Sequence, residues 1–326
     1  MFSRFLAILK SVALIAFSAS AATTAYAQNR EILGEYRIGV VGCNQADAVY
    51  QATQRGAHDA AQALSEQYSI DIEVLATTPS TEQGESQTAA LAELLVDDAD
   101  GFLISPAEPE RIRPSIEFAQ QHGQQVVFFE DQIEGLPPLA TMLADEVEAG
   151  RLAAQAILDK LPTKARVAIL INEAPDSRMR DRLEGARAVL GYRRIQQIVQ
   201  CAPNYNAAIE CIRATETADR NHMIKGWLLL GDWPLRGMPA LPWKAGALAC
   251  VAVQSSPSAF MYLDQGYVSA LVVHPYYTWG YASMTALVNK LHKNIAPETS
   301  TTISSPRIID WSNVDSYREN WKTWLK

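Results

Sequence analysis

Short apolar runs alternate with longer segments of helical period along the chain. Nine runs, at 36–41, 70–76, 101–104, 125–129, 166–171, 195–199, 227–230, 248–253 and 268–273, read as strands. Most of them lack polar alternation, the pattern of a strand covered on both faces. Between them, 46–67, 85–96, 112–121, 145–158, 178–190 and 205–215 carry apolar residues three and four apart, the spacing of amphipathic helices. Alternation of this kind predicts an α/β fold with parallel sheets built by right-handed crossovers. No fixed-period repeat occurs, and the Thr/Ser run at 299–305 is the one low-complexity stretch.

The chain opens with Arg4 and Lys10 around an apolar stretch and then passes through small residues to Ala25, Tyr26 and Ala27. This predicts a secretory signal, residues 1–27, cleaved after Ala27. Gln28 follows where a lipid-anchored protein needs cysteine. No later window approaches the roughly 20 continuous apolar residues of a membrane span, so the expectation is a soluble exported protein. Of 28 basic residues, removing Arg4 and Lys10 leaves 26 against 36 acidic ones, a net charge near −10. That balance argues against nucleic acid or an anionic membrane as partner. The 299 residues left after 27 of the 326 are removed exceed what one compact core usually takes, so two lobes are expected.

Four cysteines in an oxidising compartment invite a disulfide. Cys201 ends a strand-like run and Cys211 sits in the helical segment after it, so these two are expected to pair. Cys43 and Cys250 fall in different lobes and are expected to be free and buried.

In open parallel sheets a ligand lies at the carboxyl ends of the strands. At those positions stand Asn44 and Asp47, Glu130 and Asp131, Arg180, Asp232 and Trp233, Gln254, and His274. Such a ring of hydrogen-bonding groups with aromatics beside it suits a polyhydroxylated ligand, whose hydroxyls donate and accept and whose ring faces pack on aromatic surfaces. Arg180, in the polar turn and helix start after the run at 166–171, is the first choice for a forked contact. Its alternative is pairing with Asp181 and Glu184 on a solvated face.

The segment Ser177-x-x-Arg180-x-Arg182-x-x-Gly185 resembles the second-lobe arginine motif of the type I periplasmic sugar-binding proteins, the ribose, galactose and xylose binders of ABC transporters. His274-Pro275 followed by Gly280 is similar to that family's hinge segment, and Gly56-Ala57 to a pair common in its first helix. The resemblance spans essentially the whole mature chain. It implies two Rossmann-like lobes with parallel sheets joined by a three-segment hinge: 29–144 plus 275–303, and 145–274 plus 304–326. Aligned on Gly56-Ala57, Asp47 falls where the family often has a sugar-binding Asn and Tyr50 where it has a stacking aromatic. Asp47 could equally cap the helix and Tyr50 belong to the core. His274 stands in place of a sugar-contacting Gln, its alternative being a hinge histidine without ligand. Trp233 and Trp279 are stacking candidates that could instead serve packing, and Trp227 is expected in the core. The chain departs from the family at Glu130-Asp131, where an Asp-Arg pair is usual, and at Gly231 and Gln254, so ribose or galactose does not carry over.

The resemblance implies a monomeric periplasmic receptor that captures a sugar or polyol and delivers it to a permease, with no cofactor and no metal. The alternative is a sensor that reports to a membrane histidine kinase. A LacI-like repressor would carry a DNA-binding segment where this chain has an export signal. An enzyme lacks support: there is no Gly-x-Ser-x-Gly elbow, His-x-x-x-His or Cys-x-x-Cys spacing, or glycine-rich phosphate loop, and adjacent Glu130 and Asp131 are poorly placed to flank one bond.

Overall fold

A computed structural model describes residues 31–79, 84–254 and 256–326. The expected signal, 1–27, lies outside the described residues. The first half runs β1 (Glu35–Val41), α1 (Ala48–Tyr68), β2 (Asp71–Ala76), α2 (Gly84–Val96), β3 (Gly101–Ile104), α3 (Pro109–Gln121), β4 (Gln125–Phe129) and β5 (Ala140–Ala144). The second runs α4 (Glu146–Leu158), β6 (Arg166–Asn172), α5 (Ser177–Arg194), β7 (Ile195–Cys201), α6 (Tyr205–Ala218), β8 (Ile224–Leu229), β9 (Ala249–Val253), α7 (Ser258–Asp264) and β10 (Ala270–Val273). The chain then returns through α8 (Tyr276–Lys293), β11 (Thr301–Ser304), β12 (Arg307–Ile309) and α9 (Val314–Trp324).

Two six-stranded sheets result, ordered β11-β5-β4-β3-β1-β2 and β12-β10-β9-β8-β6-β7. All pairings are parallel except β10 with β12. The α/β expectation with two lobes therefore holds. The interior strands β3 and β10 are buried along their whole length, which explains their unbroken apolar sequences.

Three strands were not predicted: β5, β11 and β12. The first of them, ATMLA, has three buried residues, but one of these is the polar Thr141 and two of the strand's five residues are alanines, so it shows no β-branched apolar run. Thr301, Thr302 and Ile303 of β11 are exposed at the sheet edge and Ser304 is half-buried, so the strand carries one apolar residue among three polar ones. The strand β12 has three residues, too few to show a period.

Each lobe is built on one helix pair that touches through glycine. In the first lobe a Cβ on Gly56 would lie 2.0 Å from the Tyr277 carbonyl, and one on Gly280 would lie 1.8 Å from that of Thr53. In the second lobe Gly150 meets the Arg182 carbonyl and Gly185 that of Val147, each at 1.9 Å. These four glycines, of which Gly56, Gly185 and Gly280 belong to the motifs noted above, thus bring α1 against α8 and α4 against α5 closer than any side chain permits.

Three segments cross between the sheets: at Asp145, at His274–Pro275 and at Ser305–Pro306. They are tied together, because Asp145 N–H donates to the Ser304 carbonyl at 3.0 Å and the Trp279 indole N–H to the Ser304 hydroxyl at 3.3 Å. The helix α9 straps both lobes. Arg318 binds Asp264 of α7 at 2.7 Å, while Trp324 stacks on Tyr277 of α8 with centroids 5.7 Å apart. Among the described residues no helix is long and apolar enough to cross a membrane.

Candidate functional site

The strand order reverses around β1/β3 in one sheet and β6/β8 in the other, which opens a crevice at the carboxyl ends. Residues that follow those ends in one lobe touch those of the other.

Glu130 follows β4 and Gln254 follows β9, the equivalent strands of the two sheets. Both adopt left-handed backbone, with φ of 67° and 62°, a conformation costly for side chains other than glycine. Each backbone N–H reaches the next strand of its own sheet, Glu130 to the Met142 carbonyl and Gln254 to that of Val272, both at 2.8 Å. The two side chains then meet, the Gln254 amide donating to Glu130 at 3.1 Å.

Arg178 also crosses the crevice. It lies 3.3 Å from Glu130 and 3.5 Å from Asp131 in the opposite lobe, and 3.1 Å from Asp176, the N-cap of its own helix. Four residues on, and so on the same helix face, Arg182 is buried. It forms a two-pronged pair with Glu146 at 2.7 Å on both prongs and donates to the Gln254 side chain at 3.1 Å and the Leu230 carbonyl at 3.0 Å. Burial works against the Glu146 charge, yet Arg182 and then His274 hold its carboxyl well below the usual range. A carboxylate lowered in this way adds stability that is fully present above the range where a free glutamate titrates and is lost as pH falls through the folded value. Glu146→Gln should therefore flatten the acid side of a curve of urea-unfolding free energy against pH; an unchanged acid limb would contradict this.

A second contact joins Asp47 and Arg236 at 3.6 Å. Asp47 caps α1 by accepting from Val49 N–H at 2.8 Å, so it serves the helix and faces the crevice together. Buried Asp232 accepts from Arg236 at 3.0 Å and from Ser256 N–H at 2.9 Å. Burial raises the Asp47 and Asp131 carboxyls above the ordinary aspartate value, with Arg236 and Arg178 respectively acting against it.

The structure departs from the sequence expectation at several residues. Arg180 is exposed, donates to the Pro175 carbonyl at 2.6 Å and lines the outer surface with Leu183 and Glu184. The helical phase set by Gly185 turns Arg178 and Arg182 to the crevice and Arg180 away from it. Tyr50 is packed into the core, its ring against Gly42 and its hydroxyl donating to the Val40 carbonyl at 3.0 Å. Trp233 likewise folds over Gly231, and Trp227 is wholly buried. Asn44 uses its side-chain oxygen on Ala46 N–H at 2.8 Å, a local turn. His274 is buried and stacked on Trp279 at 5.8 Å. Neither of its ring nitrogens has a hydrogen-bond partner among the described residues, although Nε2 lies 3.4 Å from Glu146.

The expected Cys201–Cys211 disulfide is not formed, and all four cysteines are free thiols. The Cys211 thiol turns to the Gln200 carbonyl at 4.0 Å. Burial pushes the Cys201 thiol up to about 11, opposed by Trp233 and aided by neighbouring Cys211. Cys250 is buried and Cys43 only partly so.

Sequence reading missed Arg178 and Arg182 as contacts, together with Glu146 and Arg236. The phase of Gly185 was the signal available for the first two. A separate groove of about 640 Å³ opens on the outer face between α1 and the end of α9, lined by Arg55, His58 and Trp324 among others; no strand-end residue of the crevice reaches it. Among the described residues no three His, Cys, Asp or Glu side chains are grouped to hold a metal ion.

Two lobes with polar side chains converging between their strand ends have the architecture of a cleft-forming binding protein. Residues 38–294 match the periplasmic binding protein domain family, and the chain belongs to it, with the two-lobe type I fold. No curated protein matches the sequence. Among solved structures, the periplasmic ribose ABC transporter protein of Conexibacter woesei DSM 14684 is similar at 18% identity and a TM-score of 0.74, covering 90% of this chain and 98% of that one. An ABC transporter solute-binding protein of Agrobacterium vitis, bound to alpha-D-tagatopyranose, is similar at 18% identity and a TM-score of 0.73, over 86% of this chain and 96% of its own. A protein of Bacteroides fragilis assigned to the LacI transcriptional regulators is similar at 17% and 0.71, over 87% and 99%. At such identities the likeness is one of fold.

Proposed function

We propose that this protein is a periplasmic receptor that takes a sugar or polyol into the interlobe crevice and delivers it to an ABC transporter permease, binding without catalysis. The observation that carries the reading is the convergence of Glu130 and Asp131 from one lobe with Arg178 and Gln254 from the other. Carboxylates accept from ligand hydroxyls, and guanidinium and amide groups donate to them. Family membership and the tagatopyranose-bound relative support it. A ligand seated there replaces the direct contacts across the crevice and favours the closed form by the difference between its contacts in the two states.

Melting curves against pentoses, hexoses, disaccharides, polyols and amino sugars test the reading. At least one should stabilise the protein, by about 2.7 kcal/mol at a hundred times its Kd. Glu130→Ala should abolish that shift, and Arg180→Ala should leave it unchanged, since its side chain faces outward. No shift with any member of the panel overturns the proposal.

A further inference from the structure

The crevice is short of positive charge. Glu146 and Arg182 neutralise each other as a buried pair. Of the remaining groups described, five carboxylates, Asp47, Glu130, Asp131, Asp176 and Asp232, share two guanidinium groups, Arg178 and Arg236. Two of these contacts are loose, at 3.5 Å for Asp131 and 3.6 Å for Asp47. A second observation points to a ligand at the same place. The hydroxyl of Tyr276, whose ring packs on the hinge residues His274 and Trp279, is fully buried without a hydrogen-bond partner among the described residues; burial first, then Tyr317, then Asp232 and Glu130 push it well above the ordinary tyrosine value.

A neutral polyol that displaces water from the crevice would leave the excess of negative charge uncompensated there, which is costly as the local dielectric falls. An ammonium group supplies the missing charge and three donors, and carboxylates and a tyrosine hydroxyl are its natural acceptors. We propose that the crevice takes a ligand carrying a protonated primary amine on a polyhydroxylated frame, an amino sugar or amino polyol, with Glu130, Asp131 and Asp47 receiving the ammonium. This rests on the receptor reading above and narrows its ligand class. The raised Asp47 and Asp131 carboxyls agree with a site whose acids lack full compensation.

The test is calorimetric titration at neutral pH with matched pairs: D-glucosamine and D-glucose, D-galactosamine and D-galactose, 1-amino-1-deoxysorbitol and sorbitol. At least one amine should bind about tenfold tighter than its neutral partner, equivalent to about 1.4 kcal/mol. That ratio should shrink towards one in Asp131→Asn. Asp47→Asn provides a second variant that keeps the helix cap, because Asn caps as well as Asp. Equal or tighter binding of the neutral members, or an amine preference that both variants retain, overturns the amine assignment and leaves the receptor reading standing. Absence of binding by every member of both sets overturns the amine assignment, and the receptor reading falls with it only where the wider melting panel also gives no shift.

Discussion

Arg182→Ala should destabilise the second lobe by about 3 to 5 kcal/mol, read from urea unfolding, because it leaves the buried Glu146 carboxylate without its partner. The loss comes from the group left behind more than from the pair itself. Glu146 is 8% exposed and receives both prongs of the guanidinium, and His274 beside it contributes no hydrogen bond in its place. Replacing both partners by apolar residues of similar size, Arg182→Met with Glu146→Leu, should recover most of that loss, since buried ion pairs often exchange for hydrophobic contacts at little cost. A single variant within about 1 kcal/mol of the parent, or a double variant worse than the single, would show that the pair does not hold α4 and α5 as described. Arg182 also donates to Gln254, so the single variant should loosen the amide that reaches Glu130.

Gly185→Ala is expected to cost about 2 to 3 kcal/mol in spite of alanine's better helix propensity, which is worth about 1 kcal/mol in the other direction. The added carbon would sit 1.9 Å from the Val147 carbonyl and 2.9 Å from the Arg151 backbone nitrogen, so two backbones must part. Backbone cannot move aside as a flexible side chain does. Since Gly150 rests against the Arg182 carbonyl in the same interface, separation of the helices also withdraws Arg182 from the crevice floor. A melting temperature equal to that of the parent would show that α4 and α5 have room to spare.

The fold was legible in sequence wherever burial was symmetric. Strands such as β3 and β10, covered on both faces, write uninterrupted apolar runs, and the reader needs only their length. At the margins the same logic fails: β11 is mostly exposed, its residues answer to solvent, and Thr and Ser leave no trace of pairing with β5. The site was legible as a set of positions after strands and illegible as a set of directions. Asp47, Glu130, Asp131, Asp232 and Gln254 were marked because strand ends are visible in sequence, and the structure gathers them between the lobes. Arg180 was preferred over its neighbours because a count from the strand end cannot tell which face of a helix looks inward; two residues along a helix turn a side chain by about 200°. Tyr50 was misplaced for a related reason, since this aromatic in the first turn of α1 packs on Gly42, whose lack of a side chain leaves room for the ring. Glu146 escaped notice because a carboxylate in the first turn of a helix already has an ordinary explanation in the helix dipole.

Glu130 and Gln254 occupy matching slots, with the same handedness of backbone and the same anchoring of their amides. Two identical chains meeting about a twofold axis would have to place the same residue in both slots, and a pair of glutamates there would repel. One polypeptide carrying both lobes escapes that constraint. Its two lobes, alike in strand order, can carry different residues in the matching slots, so that an acceptor in one finds a donor in the other and the seam between them becomes asymmetric in charge.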